Sequence, residues 1–131
     1  MLAYARRNDP WPFHLDDAAT KETPFGGLSA SGGYIVILWY RSMSSIWHER
    51  DERWGILAGY DWHLRFTKPV RPVDCLRDRW TLVSKSASGL PGRGVWTCRH
   101  EMINQHDEVV MWVEALSLVA HRPKEGEAPV A

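Results

Sequence analysis

The stretch SGGYIVILWY, residues 31–40, decides the fold that we expect for this chain. Its residues are apolar on nearly every side of a helix, which is typical of a helix that is buried on most of its surface. We therefore predict a long helix that begins near Ser29 or Ser31 and ends near His48. The following residues 48–53, HERDER, are polar and are expected to form the solvated end of this helix.

The pattern changes after residue 55, where apolar and polar residues begin to alternate as they do in strands. The predicted strands cover residues 60–66, 75–84, 95–104 and 109–120, with a loop at 86–94 and a hairpin turn at 104–107. In the third strand, alternation places Trp96, Cys98 and Met102 on one side. The last strand is the most apolar and is expected at the centre of the sheet. A helix followed by antiparallel strands predicts an α+β class, in which a long curved sheet wraps around the buried helix.

Two prolines interrupt the segment that precedes the long helix. Pro10 and Pro12 each lack a backbone donor and push the preceding residue away from helical angles, so residues 8–13, NDPWPF, are expected to be irregular. A short helix over residues 17–21 is expected next, with Asp16 as its N-cap.

Composition limits the classes of protein to which the chain can belong. Its 131 residues fit one domain, expected over residues 1–121 with a flexible tail at 122–131. The 16 basic and 16 acidic residues balance, which argues against binding to nucleic acid or to an anionic membrane surface. No apolar run approaches the roughly 20 residues of a membrane-spanning helix, so a cytoplasmic protein is expected. The eight tryptophans must either pack in the core or serve a function.

Asp9 and His14 form the most informative pair of polar residues. They lie five positions apart on a segment stiffened by the two prolines, so both side chains can point at one spot. A carboxylate beside an imidazole suits the activation of a water, since one group accepts a proton near neutral pH and the other orients and tunes it. The long helix begins soon afterwards, and its N–H groups can hold a developing oxyanion where glycine permits close approach.

These residues resemble the pattern of the MaoC-like dehydratases, also called the R-specific enoyl-CoA hydratase family, which has the hotdog fold. The resemblance rests on DPWPFHLD (residues 9–16), FTKPVRPVDCL (66–76) and INQHDEVV (103–110), and it covers most of the chain. It implies that Asp9 and His14 are catalytic and hydrate a trans-2-enoyl thioester, or catalyse the reverse dehydration. It also implies that the N–H of Gly32, next to Ser31, binds the thioester oxygen.

The same resemblance implies a substrate and an assembly. Coenzyme A is expected as part of an acyl-CoA substrate, with no separate cofactor and no metal, and the chain is expected to form at least a homodimer. The alkyl tail needs an apolar tunnel beneath the helix, whose mouth is expected to be lined by Trp11, Phe13, Phe25 and Leu28. The chain departs from the family pattern in having Trp11 for an asparagine, Ser31 for a histidine, and a missing or shortened first strand.

Two other functions remain open at this point. The departures at Trp11 and at the N-terminus suit a non-catalytic module that binds acyl thioesters. A hotdog thioesterase commonly uses a carboxylate on the central helix, and residues 34–40 contain none.

Residues 60–100 carry eight basic side chains against three aspartates, which suits either the phosphates of coenzyme A or an ordinary solvated face. The remaining histidines show no ligand pattern and are assigned no function: His48, His63, His100, His106 and His121.

Overall fold

The computed structural model describes residues 1–21, 23–49 and 55–122. Three short helices precede one long helix, which lies against a sheet of four strands, so the predicted α+β class is confirmed. The helices are α1 (Leu2–Asn8), α2 (Pro12–Leu15), α3 (Asp17–Thr20) and α4 (Gly32–Glu49). The strands are β1 (Ile56–Phe66), β2 (Arg77–Ala87), β3 (Arg93–Ile103) and β4 (Val109–Ala120).

The four strands form one antiparallel sheet in the order β1-β4-β3-β2. The most apolar strand, β4, therefore lies inside the sheet, as its sequence predicted. Its residue Val113 is opposite Leu64 of β1 on one side and His100 of β3 on the other. Strands β1 and β2 form the two edges of this sheet.

Three of the four strands extend beyond their predicted bounds, whereas β4 covers residues 109–120 as predicted. β1 begins at Ile56 rather than at residue 60, and the loop expected over residues 86–94 is shorter, because Ser86 pairs with Val95 and Ala87 with Gly94. These predictions were wrong because ladder hydrogen bonds join backbone groups and extend through small or polar residues once the register is set. The hairpin turn at residues 104–107 is confirmed, with the side chain of Asn104 accepting two backbone N–H groups beyond it.

The core lies between the sheet and one face of α4. Ile35 and Trp39, four positions apart on α4, are buried against Met111 and Val113 of β4. The opposite side of α4 is not covered by the described residues, and Ile37 is 48% exposed. The expectation of burial on most sides is therefore wrong for the described chain, because a single four-stranded layer covers only one face of the helix.

The segment before α4 is more helical than predicted. Residues 2–8, which the sequence left unassigned, form α1, and Pro12 is the first residue of α2 within the stretch expected to be irregular. Pro12 is tolerated there because the first N–H of a helix has no intrahelical partner to lose. The predicted N-cap is confirmed, since the Asp16 carboxylate accepts the N–H of Ala18 at 2.8 Å.

Some predictions concern residues that the structure does not cover. The flexible tail expected at 122–131 lies outside the described residues from position 123 onward, as do residues 50–53 of the polar helix end. The boundary of the expected domain at residue 121 therefore stays a prediction. Among the described helices, none is both long enough and apolar enough to cross a membrane.

Candidate active site

Two consecutive turns bring Asp9 and His14 together. Asp9 ends α1, where its N–H donates to the carbonyl of Ala5, and His14 lies in α2, where its N–H donates to the carbonyl of Trp11. Asp9 Oδ2 consequently lies 3.5 Å from His14 Nε2. The His14 side chain is 10% exposed and the Asp9 side chain 30%, so the pair is sheltered but opens to solvent on the Asp9 side.

A backbone carbonyl determines which nitrogen of His14 carries the proton in the neutral ring. His14 Nδ1 lies 3.0 Å from the carbonyl oxygen of Ser29. A carbonyl oxygen can only accept, so Nδ1 donates, and the neutral imidazole presents the lone pair of Nε2 towards Asp9. The arrangement therefore leaves Nε2 able to take a proton, with a carboxylate beside it to stabilise the resulting imidazolium.

The N-terminus of α4 lies three residues beyond Ser29. The carbonyl of Ser31 accepts the N–H groups of Tyr34 at 3.0 Å and Ile35 at 3.2 Å. In an α-helix the first N–H groups have no intrahelical partner, so those of Gly32 and Gly33 are available to a ligand. The absence of a side chain at Gly32 is a packing requirement as well, because a Cβ there would lie 2.9 Å from the ring of Phe66.

The chain is similar in structure to several proteins of known fold. No family model matches the chain, and neither does any curated protein. Solved structures do match, among them a MaoC-like dehydratase from Rhodospirillum rubrum with 31% sequence identity. That similarity has a TM-score of 0.78 and covers 94% of this chain and 83% of the other. The chain belongs to the MaoC-like dehydratase family.

Two further structures are similar to the chain, the first in both sequence and fold and the second in fold alone. An R-hydratase from Pseudomonas aeruginosa has 26% identity and a TM-score of 0.60, covering 99% of this chain and 79% of its own. A Mycobacterium tuberculosis protein with a double hotdog fold has 20% identity and a TM-score of 0.72, covering 98% of this chain and 40% of its own. The predicted family and the hotdog fold are therefore confirmed, and the neighbours support a hydratase or dehydratase at family level.

Three of the four residues predicted for the tunnel mouth form an aromatic cluster beside His14. The rings of Trp11 and Phe13 stack at 6.0 Å, those of Phe13 and Phe25 at 5.7 Å, and Phe13 meets the imidazole edge at 4.6 Å. Trp11 is 61% exposed. The fourth residue, Leu28, lines an open cleft that none of these three aromatic residues lines. Contact of these four residues with substrate stays a prediction.

Arg71 holds the loop that leads to Ser29. Its guanidinium donates to the carbonyls of Gly27 at 2.5 Å and Leu28 at 3.1 Å, and also to that of Phe25. The loop is tied on its other side by Asp17, whose carboxylate accepts the N–H of Leu28 at 2.9 Å. Sequence reasoning counted Arg71 only as part of a basic stretch. Its contacts make it a positioning residue for the loop whose Ser29 carbonyl binds His14.

A cavity of about 430 Å³ lies beneath the second half of α4. Its walls are mainly aromatic, and none of the four predicted mouth residues is among those that line it. The described lining residues come from α4 (Trp39, Tyr40, Met43, Ser44), β1 (Ile56, Gly59, Trp62), β2 (Trp80), β3 (Trp96, Cys98, His100) and β4 (Ala115, Ser117). The apolar space expected under the helix is present, but it lies further along the helix than the predicted mouth.

Sequence reasoning missed a second histidine–aspartate pair, which lies at this cavity. His100 Nδ1 is 3.0 Å from Asp78 Oδ2, and their side chains are 9% and 0% exposed. A signal for this pair was present in the alternation of β3, since His100 lies between Cys98 and Met102 on the same side of the strand. The His100–Asp78 pair was missed because the histidines were considered only as possible metal ligands.

Most of the basic side chains between residues 60 and 100 have partners on the protein. Lys68 pairs with Glu108, Arg77 with Asp107, Arg79 with Glu101 and Arg99 with Glu114. Arg71 is engaged by the loop carbonyls described above. Compensation of this kind favours the interpretation of these charges as a solvated sheet face.

Proposed function

We propose that this member of the MaoC-like family adds water to the double bond of a trans-2-enoyl-CoA thioester, or removes water in the reverse direction. The observation that supports the proposal is the 3.5 Å separation of Asp9 Oδ2 and His14 Nε2. A water oxygen fits between two such atoms at hydrogen-bond distance from both. The Ser29 carbonyl then keeps Nε2 unprotonated in the neutral ring.

In hydration, the water oxygen bonds to C3 of the substrate while His14 Nε2 takes one of the water's protons. The electron pair of the double bond moves towards the thioester carbonyl, whose oxygen becomes enolate-like. Asp9 stabilises the imidazolium while this charge exists. The His14 imidazolium then gives the proton it took from the water to C2, the carbonyl re-forms, and the ring returns to its neutral state, so the sum of the steps is the addition of one water molecule.

The enolate-like oxygen is stabilised at the start of α4. The Gly32 N–H donates to it, and the positive end of the helix dipole favours the developing negative charge. Loss of one such donor costs on the order of 2.7–4 kcal/mol of barrier in enzymes that use an oxyanion hole. Ser31 lies beside this donor, with its side chain buried and its hydroxyl without a partner among the described residues.

The acyl chain extends from this point under α4 and ends in the aromatic cavity. At a rise of about 1.5 Å per residue, Tyr40 lies about 12 Å along the helix from Gly32. A chain of medium length, or one that ends in a ring, spans such a distance. We therefore expect medium-length acyl groups to be better substrates than very short ones.

The proposed functional unit is at least a homodimer. Strand β1 is an edge of the described sheet and exposes aromatic side chains, with Tyr60 54% and Phe66 43% exposed. Apolar edge strands of this kind are normally covered by another strand or chain. Light scattering is expected to give twice the chain mass, and a stable monomer would contradict this assembly.

The test of the proposed reaction is the loss of enoyl-thioester absorbance when the protein is mixed with trans-2-enoyl-CoA substrates of increasing chain length. Asp9→Asn and His14→Gln are each expected to lower the rate by roughly 10²–10⁴-fold, which is the usual contribution of general acid–base catalysis. Asp107→Asn, in the exposed hairpin turn between β3 and β4, serves as the matched control and should keep the full rate. Full activity in both site variants would refute the role of the pair.

The same assay separates the alternative functions. An unmodified protein that binds acyl-CoA and leaves the absorbance unchanged is a binding module. Release of free thiol, measured with a chromogenic disulfide, instead identifies a thioesterase.

A further inference from the structure

The aromatic cavity beneath α4 contains polar groups that the proposed reaction does not use. His100 and Asp78 are hydrogen-bonded at 3.0 Å and lie on neighbouring strands under the helix. Trp39 lies 5.4 Å from the His100 ring, centroid to centroid, and crosses it at 68°. Both Trp39 and His100 line the cavity.

Asp78 determines the proton arrangement of His100 in the same way as Ser29 determines that of His14. A carboxylate oxygen accepts, so the neutral His100 ring donates from Nδ1 to Asp78 Oδ2. The Nε2 lone pair is left as a hydrogen-bond acceptor on a ring that lines the cavity. The His100 side chain is 9% exposed, so this acceptor is sheltered from bulk solvent.

Trp39 provides a donor in the same wall. Its side chain is fully buried, and its Nε1–H has no hydrogen-bond partner among the described residues. Buried polar groups in proteins are nearly always hydrogen-bonded, so an unpartnered indole N–H at a cavity wall points to a partner provided by the occupant. Besides Tyr40, Ser44 and Ser117, the mainly apolar lining thus includes His100 as an acceptor and Trp39 as a donor.

We propose that this cavity selects acyl groups that end in an aromatic ring bearing a hydroxyl. The hydroxyl donates to His100 Nε2 and accepts from Trp39 Nε1, which satisfies both buried groups at once. The ring packs among aromatic walls, where Trp62 already meets Trp39 at 5.4 Å and Tyr40 at 5.1 Å in edge-to-face geometry. The thioester part of this substrate rests on the proposed function, whereas the selectivity of the cavity does not.

Small ring compounds test the cavity without the thioester. We expect para-ethylphenol to bind about tenfold more tightly than ethylbenzene, as measured by quenching of the tryptophan fluorescence, because only the phenol pairs the buried groups. His100→Phe and Trp39→Phe should each remove most of this preference while ethylbenzene binding is retained. Circular dichroism identifies any variant that fails to fold.

The control substitution is His63→Phe. His63 lies next to Trp62 on β1 but on the opposite face of the sheet, against Trp112 at 5.0 Å, so this variant should keep the preference for the phenol. Equal affinity for the two compounds, or a preference that survives in both cavity variants, would overturn the proposal.

The binding of coenzyme A thioesters then distinguishes a failure of the cavity proposal from a failure of the proposed reaction. Hydroxyphenylpropanoyl-CoA is expected to bind about tenfold more tightly than phenylpropanoyl-CoA, with octanoyl-CoA as the alkyl comparison. If enoyl-CoA substrates are turned over but the hydroxyl gives no advantage, the cavity proposal is wrong and the reaction stands. If the phenol is preferred but no thioester binds, the reaction is wrong and the cavity proposal stands.

Discussion

The imidazole of His14 is held by the backbone of Ser29, fifteen residues further along the chain, through a 3.0 Å hydrogen bond from Nδ1. This contact ties the helical turn that carries His14 to the loop that precedes α4. The orientation of the catalytic candidate therefore depends on how that loop is held. Arg71 follows β1 in the chain, and its guanidinium donates hydrogen bonds to the carbonyls of this loop. It is therefore the residue best placed to hold the loop.

Replacement of Arg71 by methionine is expected to destabilise the protein and to lower its activity. The substitution leaves the carbonyls of Gly27 and Leu28 without a charged donor, which costs roughly 1–3 kcal/mol in comparable cases. Urea denaturation measures the change, and kcat should fall because the Ser29 carbonyl becomes less well placed. Arg77→Met, which removes an exposed pair with Asp107, is the control. An unchanged kcat in Arg71→Met would show that the loop needs no such support.

Replacement of Gly32 by alanine is expected to lower the stability of the protein by about 1–3 kcal/mol, the usual cost of overpacking. The new Cβ would lie 2.9 Å from Cζ of Phe66. Adding Phe66→Ala in the same chain removes that ring, so the double variant should lose less stability than the two single changes added together. Because alanine keeps the backbone N–H, the double variant should also regain kcat. Additive losses in the thermal midpoint would contradict the close packing.

The two cysteines are expected to react very differently with thiol reagents. Burial raises the pKa of Cys98 to about 11, so its thiol stays protonated at pH 8, whereas Cys75 is exposed. A chromogenic disulfide at pH 8 should therefore titrate one thiol in the folded protein and two in guanidinium chloride. Cys75→Ser should abolish the reaction in the folded state. Rapid reaction of two thiols in the folded protein would show that Cys98 is accessible.

Glu108 is expected to make the stability of the protein depend on pH in the acid range. Its hydrogen bonds with Lys68, and then with Asn104, hold the pKa of Glu108 below its usual value of 4.5. A carboxyl whose pKa is lowered in the folded state stabilises it above the usual pKa, and this contribution is lost as the pH falls through the lowered value. Glu108→Gln should thus be less stable than the unmodified protein at pH 7.

The measurement for Glu108 is the urea midpoint between pH 7 and pH 3. The difference between Glu108→Gln and the unmodified protein should shrink as the pH falls. Added salt should reduce the difference at pH 7 as well, because the pair with Lys68 is at the surface. A difference that stays constant across this range would show that the carboxylate charge contributes nothing.

The candidate catalytic pair could be predicted from the sequence because the elements that bring it together are local. Asp9 and His14 are separated by two tight turns, and the prolines that stiffen them are visible in the sequence. The start of α4 near Ser31 could be predicted for the same reason, since a glycine pair precedes an apolar helical stretch. Short-range chain geometry is enough to place such residues.

The second pair could not be predicted in the same way. Asp78 and His100 are 22 positions apart and meet only because β2 and β3 pair in one particular register. Sequence alternation assigns His100 to a face, but the register alone determines which residue of the neighbouring strand it contacts. A register shift of one residue would move every side chain of the strand to the opposite face of the sheet.

The sequence by itself determined the α+β class, the long helix, the central position of β4 and the pairing of a carboxylate with an imidazole, because each depends on local pattern or short spacing. Only the tertiary structure decided that Ser29 and Arg71 support His14, and that an aromatic cavity with a buried His100–Asp78 pair lies under α4. Those features join residues distant in the chain, and long-range contacts depend on sheet register and on the packing of the helix against it.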